Sequence, residues 1–463
     1  DALPILERRY NPQSRTILSV ISLVSYVLTK VAVTVYAGGL VFQQVFGIKE
    51  LWGIDFFWIA AIGLVVLTAL YTIFGGMKSV LYTSVLQTPI LLLGSLIILV
   101  LGFKELGGWD EMMRVCGAVT VNDYGDTMTN LIRSNDDANF PWLGALIGSA
   151  IIGFWYWCTD QFIVQRVLSG KNEKEARRGT IFGAYLKLLP VFLFLIPGMI
   201  AFALHQKYIG AGGEGFLPML ANGTANADAA FPTLVAKLLP AGVKGLVVCG
   251  ILAALMSSLA SLFNSSAMLF TIDFYKRFRP ETPEKKLVGI GQIATVVIVI
   301  LGILWIPIMR SVGDVLYTYL QDVQSVLAPG IAAAFLLGIC WKRTSAQGGM
   351  WGLIAGMIIG LTRLGAKVYY SNAGEVADST FKYLFYDMNW LFFCGWMFLF
   401  CIIVVIVVSL ATEAPTAEKI QGLVFGTATK EQKAATRASW DHWDIIHTVI
   451  ILAITGAFYW YFW

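Results

Sequence analysis

The feature that most limits this chain is a succession of apolar runs, each long enough for a helix to cross the hydrocarbon of a bilayer, about 20 residues. Eleven such runs cover roughly 17–46, 54–74, 80–103, 142–164, 179–205, 243–272, 287–309, 313–339, 347–365, 389–411 and 444–463. Composition leaves them no other home: 57% of the 463 residues are hydrophobic and 13% charged, against roughly 25% charged in soluble domains. So few charges cannot cover that much apolar surface in water, and a disordered chain needs the opposite balance. No run alternates with period two over barrel-like lengths, so strands are not expected. The chain reads as an all-α polytopic membrane protein whose first partner is the lipid bilayer. We expect one transmembrane domain over 1–463, with loops at about 105–141 and 412–443.

Loop charges give an orientation. Arg8, Arg9 and Arg15 precede the first run, Lys171, Lys174, Arg177 and Arg178 follow the fourth, and Lys276, Arg277, Arg279, Lys285 and Lys286 follow the sixth. Lys342 and Arg343 follow the eighth, and alternating spans place all of these on one side. The other side receives the acidic 105–141 loop. The chain therefore starts in the cytoplasm and ends, at Trp460 and Trp463, outside or in a periplasm. The net charge of +4 is scattered over short loops and not gathered in one patch, so no nucleic-acid partner is expected.

Enzyme chemistry is not expected. GxSxG, GxxxxGK[ST] and HExxH are all absent from the sequence, and the missing nucleotide loop also excludes an ATP-driven pump. The six cysteines form no CxxC or Cys/His cluster, so neither a metal site nor a disulfide framework is indicated. Nothing in the sequence speaks to oligomeric state.

What remains is polarity inside the spans. Residues 185–198, YLKLLPVFLFLIPG, hold Lys187, Pro190 and Pro197; residues 317–330, YTYLQDVQSVLAPG, hold Gln321, Asp322, Gln324 and Ser325. Such groups persist at membrane depth only where they face protein or a water-filled cavity. Ala254, Ser257 and Ser258 stand at i, i+3 and i+4, so a carbonyl and two hydroxyls on one face can meet a small hard cation such as sodium. The same spacing equally serves close helix packing, with the hydroxyls bonded back along the helix. Tyr317 and Gln321, at i and i+4, pair a ring with an amide, as a sugar needs. Tyr156 and Trp157, within WYWCTDQ, read either as pocket rings or as packing. Lys187 reads as a ligand group or as a snorkelling ammonium, and Gln321 as a ligand group or an interhelical bond. Lys30 and Asp160 are charges whose partners the sequence does not place.

WYWCTDQFIVQRVLSGKN, AYLKLLPVFLFLIPGMI, LMSSLASLFNSSAMLFTIDFY and IAAAFLLGICWKRT resemble the solute:sodium symporter family, in particular its sodium/glucose (galactose) cotransporter branch. TALYTIFGGMKSVLYT and GGMWGLIAGMIIGLTR extend the resemblance over nearly the whole chain. It implies a five-plus-five inverted-repeat transporter fold, with eleven transmembrane helices here and the first three family helices missing. It implies sodium-coupled import of a glucose- or galactose-like sugar by alternating access. The resemblance implies that Ala254, Ser257 and Ser258 contribute to the sodium site, and that Lys187 and Gln321 hydrogen-bond the sugar. Trp157 matches a pocket aromatic, Tyr156 an inner-gate ring, Tyr317 an outer-gate aromatic, and Tyr26 a position on a neighbouring helix.

Departures from the family pattern matter as well. Gly153 stands where relatives have a polar side chain, and Gln324 where a small hydroxyl is common. Ser84 replaces an acidic residue of a second sodium site and Ala260 a nearby hydroxyl, which implies one sodium per cycle. Gly153 and Gln324 keep inositol, sialic acid, an amino acid or an anion open as the substrate. A sensor or channel on the same fold is the alternative from another class.

Overall fold

The computed structural model describes residues 2–220, 223–312, 315–373 and 377–462, apart from the side chains of 2–4, 71, 73–84, 86 and 310–312. Among the described residues nine helices are long and apolar enough to cross a membrane, or ten if one bent pair counts as a span. The first expected run becomes helix α1 (Pro12–Ser25), a π-helical turn (Tyr26–Val31) and α2 (Ala32–Phe46). The second and third become one helix, α3 (Phe56–Leu106), whose apolar stretches are Phe56–Leu70 and Gln87–Leu106. No proline interrupts 71–86, so nothing in the chain's chemistry forces the helix to stop there. Strands were not expected, yet Glu50–Leu51 pairs with Ile54–Asp55 in a two-residue hairpin. Its turn has positive φ at Trp52 (56°) and Gly53 (75°), the handedness that matches strand twist.

The fourth run is the bent pair, α4 (Trp142–Cys158) and α5 (Gln161–Leu168), set at 48°. Its break is chemical. The Thr159 hydroxyl donates to the Trp155 carbonyl (2.8 Å) and closes α4, while Asp160 accepts from the Phe162 amide (3.2 Å) and opens α5. The fifth run is α6 (Glu173–Pro190), a π turn (Val191–Leu195) and α7 (Ile196–Gly210). Pro190 has no N–H to donate, so the irregularity falls at the proline, where the sequence places it. A short helix, α8 (Ala230–Leu238), leads to α9 (Ala241–Met268), which continues into a π turn at Leu269–Tyr275. The last five runs are α10 (Glu284–Val312), α11 (Leu316–Cys340), α12 (Ala346–Asn372), α13 (Trp390–Ala411) and α14 (His442–Tyr461).

The chain divides into two compact units. One comprises residues 1–30, 135–181 and 265–450 and is built around α11, in which every residue from Asp322 to Phe335 is buried. Helices α4, α12 and α13 pack on α11. Glycine permits the closest approaches: a Cβ on Gly330 would stand 3.0 Å from the Cα of Gly356, and one on Gly360 would strike the Val326 carbonyl. Tyr10 lies over Gly338 and Gly349 and donates to the Ala334 carbonyl (2.7 Å). Burial pushes its phenol well above the usual tyrosine range.

The other unit comprises residues 31–134, 182–264 and 451–463. Its apolar core gathers Ile98, Ile200, Leu204, Leu234 and Val247. Gly94 receives the Val247 side chain and Gly250 that of Ile90, so α3 and α9 also meet on glycines. In the loop that follows, Asp126 accepts from the Asn122 amide and the Ser134 N–H, both at 2.7 Å, which holds its carboxyl below the usual aspartate range.

The α11–α12 seam is tested by two substitutions on one helix. Gly360→Val overpacks it and should destabilise the protein by about 1–3 kcal/mol. Gly365→Ala has nothing within 4 Å of the new carbon and should be neutral or stabilising. Thermal unfolding in detergent separates them; equal midpoints would show that the seam is not close-packed.

Candidate functional site

In the unit built around α11, the polar residues gather at the break between α4 and α5. Asp160 is buried at the cap of α5, and the Lys30 ammonium, carried by the π turn, pairs with it. The sequence left the partners of these two charges open; they are each other. Three rings surround the ammonium, with centroids 4.3 Å (Phe162), 4.6 Å (Tyr26) and 5.5 Å (Tyr156) away, a cation–π arrangement. The Tyr26 hydroxyl donates to Asp160 Oδ1 and accepts from the Phe162 N–H, both at 3.0 Å. Tyr26 is wholly buried, so its hydroxyl is occupied in holding the break together.

Tyr156 meets Trp157 edge to face, with centroids 5.1 Å apart, and Trp157 is half exposed. Gly153, one turn earlier, faces open space: a Cβ there meets nothing within 4 Å. On α11, Tyr317 is exposed, Gln321 half-buried and Gln324 buried. Because α4 packs on α11, the helices that carry Tyr156, Trp157, Gln321 and Gln324 are neighbours. Tyr319 fixes the same stretch of α11: its hydroxyl donates to the Leu28 carbonyl (2.9 Å) and accepts from the Trp305 indole (2.6 Å).

Sequence reasoning missed what holds Asp322. The polar segment 317–330 singled it out, yet its partners, Lys367 and Arg363, stand one helical turn apart on α12. Two cations at i and i+4 near the end of an apolar run were the available signal.

In the other unit, Lys187 is exposed on α6, just ahead of Pro190. Ala254, Ser257 and Ser258 lie on one face of α9, with Ser257 buried and the others half-buried. The Ser257 carbonyl accepts from the Ser261 hydroxyl (3.0 Å), one turn on. The irregular turn in this run comes later, at Leu269–Tyr275, so the Ala254 carbonyl sits in regular helix. Ala260 is buried, and the side chain of Ser84 lies outside the described residues. Among the described residues no three His, Cys, Asp or Glu side chains gather as a metal site. Ala254, Ser257 and Ser258 themselves would offer a cation only neutral oxygens.

The profile of the sodium:solute symporter family matches residues 3–356. The chain belongs to the sodium:solute symporter family. It is a family of sodium-coupled carriers, not of enzymes. The chain is 35% identical to the sodium/mannose cotransporter of Bos taurus, over 99% of this chain and 79% of that one. It is 35% identical to sodium/myo-inositol cotransporter 2 of Homo sapiens (89% of this chain, 62% of the relative). It is 36% identical to sodium/glucose cotransporter 1 of Ovis aries (88% and 63%). The chain thus spans less than two thirds of the length of the latter two. Among solved structures, a Na+-coupled sialic acid symporter in its substrate-bound, outward-open state superposes with a TM-score of 0.66. That match has 21% identity and covers 90% of this chain and 78% of the other. The likeness confirms the expected inverted-repeat symporter fold in a multi-pass membrane protein.

The caged ion pair makes a direct prediction. Asp160→Ala strands a buried ammonium and should cost about 3–5 kcal/mol, whereas Asp160→Ala with Lys30→Met removes both charges and should cost less than the single change. Detergent unfolding of both variants checks this; a double variant weaker than the single one would mean that the charges do not pair.

Proposed function

We propose that this protein is a symporter that imports a hexose-like sugar with sodium by alternating access. The observation that supports it most is the identity of about 35%, over most of the chain, with cotransporters whose names pair sodium with mannose, glucose or myo-inositol. On this reading Gln321 and Lys187 orient sugar hydroxyls, Trp157 lines the pocket, Tyr156 closes it from the inside and Tyr317 from the outside. Gln324 places an amide beside the sugar, and Tyr26 acts through the cage around Lys30 that backs the Tyr156 ring. Ala254, Ser257 and Ser258 hold the ion. The basic loops face the cytoplasm, with residue 1 on that side and residue 463 on the other, provided that 54–74 and 80–103 cross as two spans although they lie in one helix. A second reading, import of an inositol, is favoured by the equal identity to the myo-inositol cotransporter.

Sodium binding favours the arrangement in which the pocket forms, so the solute follows the ion by linkage. Ser84 in place of a carboxylate removes the formal charge of a second site and Ala260 a nearby hydroxyl, leaving one ion per cycle. One positive charge crossing a ~100 mV potential supplies about 2.3 kcal/mol, equivalent to roughly fifty-fold accumulation before the sodium gradient is added.

Uptake of glucose, mannose, myo-inositol, sialic acid and proline into proteoliposomes tests the reading. We expect uptake of a sugar or inositol that stops when choline replaces sodium, with a sodium Hill coefficient near one. Uptake indifferent to that replacement would end the symport reading, and a coefficient near two would restore a second site. Gln321→Ala should weaken solute affinity more than sodium affinity, and Ser258→Ala the reverse; equal losses in both would reduce these residues to structural roles.

A further inference from the structure

The roles proposed above leave several buried charges unused, Asp322 and its partners among them. Asp322 follows Gln321 in sequence and is buried. One of its oxygens pairs with the Lys367 ammonium, and the other lies 3.6 Å from an Arg363 nitrogen. The Arg363 side chain is wholly buried; it donates to the carbonyls of Met388 (2.7 Å) and Leu384 (3.3 Å) and lies 4.0 Å from the centroid of the Phe393 ring. The guanidinium is therefore fixed by the residues around the start of α13, and it helps to fix the carboxylate.

Further along the same two helices the contact is made by glycines, Gly360 against Val326 and Gly356 against Gly330. Positions 322, 326 and 330 of α11 recur every four residues, as do 356, 360, 363 and 367 every three or four on α12. The seam is thus charged at one end and bare at the other. The glycine contacts set how closely the two helices approach, and the ion pair adds a fixed direction at the charged end. At 100° per residue, Tyr317, Gln321 and Gln324 lie roughly 170° around α11 from the 322, 326, 330 stripe. Whatever sets the seam also sets the direction in which Gln321 is presented. A buried pair contributes little net stability, because desolvation offsets its attraction, so orientation is the role in which it has most effect.

We propose that Asp322, held by Lys367 and Arg363, is a positioning residue for the solute: it sets the rotation of α11 and so the reach of Gln321. The proposal rests on the assignment of Gln321 to the solute. Transport by the full-length protein in proteoliposomes tests it, with radiolabelled glucose, mannose and myo-inositol as probes. The variants are Asp322→Asn, Lys367→Gln, the charge-keeping control Lys367→Arg, Gln321→Ala, and Gln321→Ala combined with Asp322→Asn. Rates are referred to protein that elutes as a single species in gel filtration.

Each single charge variant should raise the half-saturating solute concentration about tenfold, with maximal rate and sodium half-saturation held within about twofold. Lys367→Arg, which keeps the charge, should avoid much of that loss, and Asp322→Asn should add nothing once Gln321 is alanine. Unchanged solute affinity in Asp322→Asn, beside weakened affinity in Gln321→Ala, would overturn the proposal. Parallel loss of solute and sodium affinity, as large in Lys367→Arg as in Lys367→Gln, would also overturn it, by showing a purely structural role. Intact uptake in Gln321→Ala would remove the substrate assignment first, and this proposal with it.

Discussion

A charge removed from water must find its counter-charge inside the protein, because the hydrocarbon around a spanning helix offers neither water nor ions. Two constellations in the unit built around α11 answer that constraint. Lys30 and Asp160 neutralise each other inside a cage of three rings. Asp322 is matched by Lys367 and Arg363. Local shape follows from the first pair: Asp160 both caps α5 and receives the ammonium, so the bend at Thr159–Asp160 and the π turn at Tyr26–Val31 are held by the same carboxylate.

Arg15 and the buried Asp273 form a further pair in the same unit. The residues proposed for the ion, Ala254, Ser257 and Ser258, and the amides proposed for the solute, Gln321 and Gln324, are neutral, and groups of that kind form directional bonds that water can replace. Close helix packing accompanies them, since glycines at 330, 356 and 360 let α11 and α12 meet backbone to backbone. In a bilayer, where apolar burial gives helices little reason to associate, such contacts and internal hydrogen bonds replace the hydrophobic drive.

Much of this was legible in the sequence. Apolar runs located most of the long helices, with ends off by up to about seven residues, and Pro190 located the irregular turn that follows it. The merging of 54–74 and 80–103 into one helix was not legible, because hydropathy marks where a span can lie and not whether the helix stops between two of them. Nothing in YVLTKV announces a π turn; it is set by where Lys30 must reach. Asp322 was visible as a charge at membrane depth, but its partner is 45 residues away on another helix, and pairing at that range is written in the fold. The roles given to Gln321, Lys187 and the serines came from the family resemblance. Residue chemistry alone left each of them open between ligand contact and packing.

The central claim is that ion and solute share one binding equilibrium. The direct measurement is the dissociation constant of the solute with and without sodium, and of sodium with and without the solute, on the purified full-length protein. Linkage requires the two ratios to be equal and greater than one. A solute affinity that is the same in sodium and in choline would contradict the account.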